Sequence, residues 1–420
     1  MFRKLQLDAR RVYLFIEVAF TVCFCLFDTA SSLYLITIAG LAPFQLVLVG
    51  TTTEIFGFLF EVPTGVVADV YSRRLSIIIG YVLLGFGLLI EGLFPVFLPI
   101  LIASAIFSIG FTFISGAKEA WITDEIGEEG ANQLFLRAAR FGAFAWLAGL
   151  GLTLLIGANN VVLPILVSAI GTMLIGIILM VIMPEAGFHP APREDRNTWQ
   201  HMRHTFKEGM TAVRSQPRLI NLVFIALFYG LYSEGFDRLG VKLLLDNFHL
   251  PVLFGSNQLS FFVMLGAIGT VLSIFVIRFA EKRIDTSSPL AIGRAMLLVT
   301  GLITAAMISF ALSPSLVLAV SAMLAVDIIR GISRPLQTTW INQKLDSKVR
   351  ATVHSMFGQV DAIGQITSGP TVGFIANLLS VKLAVALSGL LLAPATIFVQ
   401  RANTQSAVEA DLAAESLPAD

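Results

Sequence analysis

Charge is scarce in this chain. Only 13% of its 420 residues are Asp, Glu, Lys or Arg, about half the ~25% of an ordinary soluble domain. With 56% hydrophobic residues and a mean hydropathy of +0.83, the sequence excludes a domain that faces water all round. No sign of charge is in excess. The 28 Lys and Arg stand against 28 Asp and Glu, so nothing suggests a nucleic-acid partner. Cysteine is nearly absent. Cys23 and Cys25 have no third Cys to pair with. At i,i+2 on a helix they point to different faces, so they read as packing residues rather than a disulfide or metal site. None of the five His is followed by Asp five residues on, so the H-x-x-x-x-D arrangement of acyl transfer is missing. A Gly-rich phosphate loop with Lys is missing too. The chain therefore reads as a non-enzyme without cofactor or metal, with a membrane-embedded lipid-modifying enzyme as the distant alternative. No cleavable signal peptide is apparent. The first apolar run, Val12 to Ala39, outlasts the roughly 7–15 residues of a signal core.

Long apolar runs are what the sequence has instead. A helix needs about 20 apolar residues to cross a bilayer. Twelve runs qualify, at 12–39, 44–68, 75–94, 97–121, 133–156, 161–183, 219–243, 257–280, 287–311, 315–338, 351–377 and 380–400. Joints such as Leu93 to Pro95 and Gly157 to Asn160 are short and force antiparallel neighbours, which predicts an all-helical membrane bundle. Basic residues orient it, because Lys and Arg favour the cytoplasmic side. Of the 28, only Arg238, Lys242 and Lys382 fall on the far side. Both termini are expected in the cytoplasm of a bacterial inner-membrane protein.

The longest polar segment divides the chain into residues 1–183, a cytoplasmic linker 184–218, residues 219–400 and a disordered tail 401–420. Within the linker, His201 to Arg214 has the pattern of an amphipathic helix for an anionic leaflet, or of a solvated connector. The two halves echo each other faintly. Ser115 to Trp121 closes the fourth span, Arg330 to Pro335 lies near the end of the tenth, and a basic loop follows each. Such repeats are a common building plan of secondary transporters.

The loop after the second span carries Gly65, Asp69, Arg73 and Arg74 in the spacing G-x-x-x-D-x-x-x-R-[RK]. This resembles the loop signature of the major facilitator superfamily. Glu61, Pro63 and Gly65 are similar to the same stretch of bacterial drug-efflux members. The resemblance covers roughly residues 10–400. It implies two six-helix pseudo-symmetric bundles, with spans one, four, seven and ten lining a cavity and three, six, nine and twelve facing lipid. It also implies an inner latch of Gly65, Asp69, Arg73, Arg74 and Asp124. Physically, Gly65 permits close helix approach, Asp69 can cap a helix, the eleventh span being the best placed, and Arg73 needs an acceptor such as Asp124. Two departures stand out. Span five has Gly142, Gly149 and Gly151 but no Pro of the exporter motif G-x-x-x-G-P, whereas span eleven has Gly369 and Pro370. The family's usual span-four Arg falls at Thr112.

Charges inside the apolar runs fall mainly on spans one, four, seven and ten, with further acids on spans two and eleven. A charge in the bilayer needs a partner, a wet cavity or a job. Glu234 and Arg238 are i,i+4 and Asp327 and Arg330 are i,i+3, so local pairing is expected. Arg334 and Asp237 complete the charges of spans ten and seven. Glu17 and Glu61 fall near the inner surface as gate groups. Asp28, Glu54 and Asp361 sit deeper without a local counter-ion and read as proton-carrying acids, Asp28 foremost. Phe20, Phe24, Phe27, Tyr34, Phe56, Phe60, Tyr229, Tyr232 and Phe236 share the charged spans, a setting for lipophilic cations, while Arg330 and Arg334 leave anionic or zwitterionic substrates open. The expectation is a monomeric secondary transporter working by alternating access. It would expel small amphipathic or drug-like compounds against protons, with an importer or facilitator for a metabolite as the alternative.

Overall fold

A computed structural model describes residues 7–190, 207, 210, 211, 213, 214, 217–253, 257–343 and 347–415. All regular structure among them is helical: α1 Ala9–Thr37, α2 Pro43–Val70, α3 Arg73–Leu93, α4 Phe97–Ile114, α5 Ala117–Ile126, α6 Glu128–Gly157 and α7 Val162–Ile182, then α8 Pro217–Asn247, α9 Leu259–Arg283, α10 Pro289–Ala311, α11 Leu316–Asn342, α12 Ser347–Leu378, α13 Val381–Leu392 and α14 Ala395–Glu415.

The helix ends follow from local chemistry. Asp8 accepts from the amides of Arg10 and Arg11 at the start of α1. Ser72, Ser288, Ser315 and Ser380 each accept an amide hydrogen at the start of α3, α10, α11 and α13. Such caps satisfy amides that have no partner within the helix. Span four, expected as one helix, breaks into α4 and α5 at Gly116, whose φ of 73° suits a residue without a Cβ. Span twelve breaks before Ala395, where Pro394 cannot donate to the helix ladder.

Among the described residues eleven helical stretches are long and apolar enough to cross a membrane, with α4–α5 and α13–α14 each counted as one. The remaining expected span, the eleventh, is α12. It has the length, but His354, Gln359, Asp361 and Gln365 dilute its apolar character. On α7, Ile170, Leu174, Ile177 and Ile178 are exposed. Such a row would be a liability in water and is the normal face toward lipid. The protein is a multi-pass membrane protein.

The chain divides into two compact units. One holds residues 1–202 with Pro251–Ala267, and the other holds 203–250 with Ile268–Asp420. In the first unit glycines let backbones touch. A Cβ on Gly80 would stand 2.8 Å from Gly110 O, and one on Gly85 would stand 2.6 Å from Ala169 O, which fixes α3 against α4 and α7. Helix association in lipid rests on such close packing rather than on hydrophobic drive. In consequence α3, expected to face lipid, is 61% buried over its apolar window. Tyr81, Ile77, Trp121, Leu179 and Met183 belong to the apolar core beside it. Cys25 is fully buried against Gly149 and donates to Trp146 O at 3.4 Å.

Two sequence expectations change, and a third is met in part. Gly65 is no packing glycine, since a Cβ there would meet nothing within 4 Å. The tail is not structureless from 401, because α14 runs on to Glu415 with Ala402 and Ser406 buried. Of His201 to Arg214, the residues 207, 210, 211, 213 and 214 are helical, and the rest of that segment lies outside the described residues.

Candidate functional site

The second unit contains a cavity of about 340 Å³ between α8, α11 and α12. Glycines bring its walls together. A Cβ on Gly230 would overlap the carbonyl oxygen of Asp361, and one on Gly364 would stand 2.5 Å from Leu227 O, so α8 and α12 meet backbone to backbone. Each wall is a stripe at helical spacing. On α8 the stripe is Tyr229, Tyr232, Ser233 and Asp237. On α11 it is Arg330, Ser333, Arg334 and Gln337. On α12 it is His354, Phe357, Asp361 and Gln365.

Arg330 is the centre of charge. Its two terminal nitrogens meet both carboxylate oxygens of Asp237, the second at 2.9 Å. Such bidentate pairs combine strength with a fixed direction. The guanidinium also lies 5.6 Å from the Tyr232 ring centroid and 5.7 Å from that of Phe236, within cation–π range. Asp327, the local partner expected for Arg330, is within electrostatic range of it, but the hydrogen bonds of Arg330 go across helices to Asp237. Glu234 and Arg238 do stand 3.7 Å apart on α8. Neither of these nor Asp327 lines the cavity. Asp361 Oδ2 accepts from Gln365 Nε2 at 2.8 Å. His354 Nε2 contacts Asn342 Oδ1 at 2.7 Å, and the Tyr229 hydroxyl contacts Thr300 Oγ1 at 3.0 Å. Pro335 stands inside α11 directly after Arg334. A proline there leaves the carbonyl four residues back, that of Gly331, without its helical amide.

The first unit arranges its charges differently. Arg73 hydrogen-bonds Asp124 and has Asp69 at 3.6 Å. Arg74 donates through its side chain to Met180 O at 2.6 Å. Its backbone amide and the Ser72 hydroxyl both donate to Glu185. Lys118 pairs with Glu17, has Glu119 at 3.5 Å, and lies 5.6 Å from the Tyr13 ring centroid. Asp28 is exposed on α1 and Glu54 is half-buried on α2. Neither is without a partner, which corrects their reading as isolated acids. Phe20, Phe24 and Phe27 mostly pack on one another and on Tyr81, Trp146 and Phe107.

The sequence agrees with a known family. The model of the Major Facilitator Superfamily matches residues 13–369. The chain belongs to the major facilitator superfamily. Among curated facilitator proteins, it is 25% identical over 337 residues to the uncharacterized MFS-type transporter YxaM of Bacillus subtilis (strain 168), covering 79% of this chain and 80% of that one. Solved structures share the facilitator fold. The nucleoside transporter NupG superposes with a TM-score of 0.72 at 13% identity, covering 94% of this chain and 99% of that one. A POT family transporter in complex with 5-aminolevulinic acid gives 0.74 at 12%, covering 94% and 96%.

Within this facilitator chain, sequence reasoning named Asp237, Arg330, Arg334 and Asp361, and the structure brings these four to one cavity. It named Tyr229 only as an aromatic and missed its neighbours Ser233, Gln337, His354 and Gln365. The available signal was three polar stripes at three- and four-residue spacing on spans seven, ten and eleven. It also missed Glu185, because two residues past the last apolar turn of α7 it reads as linker.

Proposed function

We propose that this protein is a secondary active transporter that moves a small polar or amphipathic solute across a bacterial cytoplasmic membrane by alternating access. In this proposal it works as a monomer with both termini in the cytoplasm. The observation that carries the reading is the cavity of α8, α11 and α12. It sets two Arg and two Asp among three tyrosine and phenylalanine rings inside a membrane helix bundle. Charges in such a place are costly and are tolerated where a solute or ion passes. The family supports transport as such. Solved relatives are named for a nucleoside and for 5-aminolevulinic acid, both small and polar. A mixed-charge cavity suits that kind of solute better than the lipophilic cation of a drug exporter. The direction of net movement then follows from the coupling gradient, so export and import remain versions of one mechanism.

Proton coupling belongs to the same proposal, with Asp28 in the first unit and Asp361 in the second as the acids to test. The protein would be reconstituted into liposomes with an imposed pH gradient and offered a panel of labelled nucleosides, amino acids, short peptides and hydrophobic cations. Gradient-driven movement of a polar solute, lost in Asp28→Asn or Asp361→Asn, is the expected result. Equal movement with and without the gradient would sink proton coupling. A panel in which nothing moves or binds, with folded protein, would sink the transporter reading.

A further inference from the structure

The charges of the cavity do not all cancel in pairs. Arg330 is closed on Asp237 by two hydrogen bonds. That leaves Arg334 on α11 and Asp361 on α12. Arg334 forms no hydrogen bond or ion pair within 4 Å to the described residues. Asp361 is within electrostatic range of Arg334, Arg330 and Asp237, yet its hydrogen bond comes from the neutral amide of Gln365. One turn on from Arg334, the side-chain amide of Gln337 is buried beside the Tyr229 hydroxyl, and its Nε2 completes no full hydrogen bond to the described residues. One wall thus presents a guanidinium and an amide donor, and the facing wall presents a carboxylate. Tyr229, Tyr232 and Phe357 line the same space.

Opposite charges held apart on two walls are poorly satisfied by each other and well satisfied by a molecule carrying both signs. A carboxylate accepts from a guanidinium fork more strongly than any neutral group. An ammonium donates to a carboxylate in the same charge-assisted way. A solute of one sign would satisfy one wall and leave the other charge desolvated, which is a penalty. The volume of about 340 Å³ lies near the low end of the roughly 300–1,000 Å³ of small-molecule sites, so the solute is of amino-acid to dipeptide size.

We infer that the second unit binds a small zwitterion, with Arg334 and Gln337 receiving its carboxylate and Asp361 its ammonium, while the Arg330–Asp237 pair holds the frame. This rests on the transport reading above and narrows it to a substrate class.

The test uses three probes of nearly one shape: L-phenylalanine, its carboxamide, which is a cation, and its N-acetyl derivative, which is an anion. Binding is read by calorimetry on the full chain in detergent, and movement by counterflow in liposomes. L-phenylalanine is expected to bind tightest. Losing one charge-assisted contact weakens binding by roughly tenfold to a hundredfold, so the two derivatives should fall short by that margin. Arg334→Gln should weaken L-phenylalanine and the N-acetyl compound and spare the carboxamide. Asp361→Asn should weaken L-phenylalanine and the carboxamide and spare the N-acetyl compound. Arg334→Lys and Asp361→Glu, which keep the charges, should restore most of the loss. Wild type that binds all three probes alike overturns the inference, as do neutral variants that weaken all three alike. Where the neutral variants do not fold, the wild-type comparison of the three probes decides alone. If none of the three binds and the panel solutes that move are nucleosides or hydrophobic cations rather than amino acids or peptides, the zwitterion class is wrong and transport stands. If no solute moves or binds at all, the transport reading itself is lost, and this inference with it.

Discussion

The two units hold similar kinds of buried charge and use them differently. In the first, acids and bases close on one another: Lys118 on Glu17, and Arg73 on Asp124 with Asp69 nearby. In the second, Arg238 stands by Glu234 and Lys242 by Asp246 away from the cavity, Arg330 closes on Asp237, and the face that holds this last pair opens into a cavity where Arg334 and Asp361 keep their charges apart. A charge count therefore says little about function. What matters is whether the partner of a charge is already part of the protein or has to arrive from outside.

The strongest way to break this comparison is at the glycines. Gly230→Ala drives a Cβ toward the backbone oxygen of Asp361, which cannot swing aside, and should cost about 3 kcal/mol and also deform the cavity. Gly80→Ala in the first unit meets Ile114 and Gly110 O and should cost a similar amount without changing solute preference. Thermal unfolding in detergent alongside probe binding separates the two effects. Equal loss of preference in both variants would end the contrast between the units.

Next comes the frame pair. Asp237→Asn leaves the Arg330 guanidinium without its bidentate partner. The expected loss is about 2–3 kcal/mol, below the roughly 3–5 kcal/mol for a fully buried pair, because the Asp237 side chain is 38% exposed. The double variant Asp237→Asn with Arg330→Gln should regain at least half of the loss, measured as a double-mutant cycle. Glu17→Gln, the matching change in the first unit, should cost about 1–2 kcal/mol and leave the ranking of solutes untouched. A reordered ranking would move solute recognition into the first unit.

The smallest effects sharpen the picture of the loop between α2 and α3. Arg73→Gln removes a partly exposed pair and should cost about 0.5–1 kcal/mol in unfolding experiments. Gly65→Ala meets no atom and should stay within about 0.5 kcal/mol of wild type. A larger destabilisation would mean that this glycine is needed for backbone freedom rather than space.

The helices were legible because apolar length is a local property, and the long spans fell where hydropathy placed them. What escaped were decisions made by single residues or by contacts across helices. The break at Gly116 needs a backbone angle that a hydrophobic run does not reveal. Lys118 and Glu17 are 101 positions apart, and Asp237 and Arg330 are 93 apart, so i,i+3 and i,i+4 reasoning could not find the acid that hydrogen-bonds Arg330. For the site, the sequence named the charges and missed the neutral polar groups beside them. A charge in an apolar run is conspicuous, whereas Gln337 or Ser333 is not.

The backbone contact of Gly230 with Gly364 has a mechanical meaning. Two helices that touch there cannot slide or part at that level, but α12 can tilt about it as a beam does about its fulcrum. With a rise of about 1.5 Å per residue, Asp361 sits roughly 4.5 Å from the pivot and His354 roughly 15 Å. A tilt of about 10° would move the first by about 0.8 Å and the second by about 2.6 Å. In the proposed transport cycle such a tilt would leave the carboxylate nearly still while the His354 end of the cavity opened and shut, keeping a grip on a solute as its way out changed.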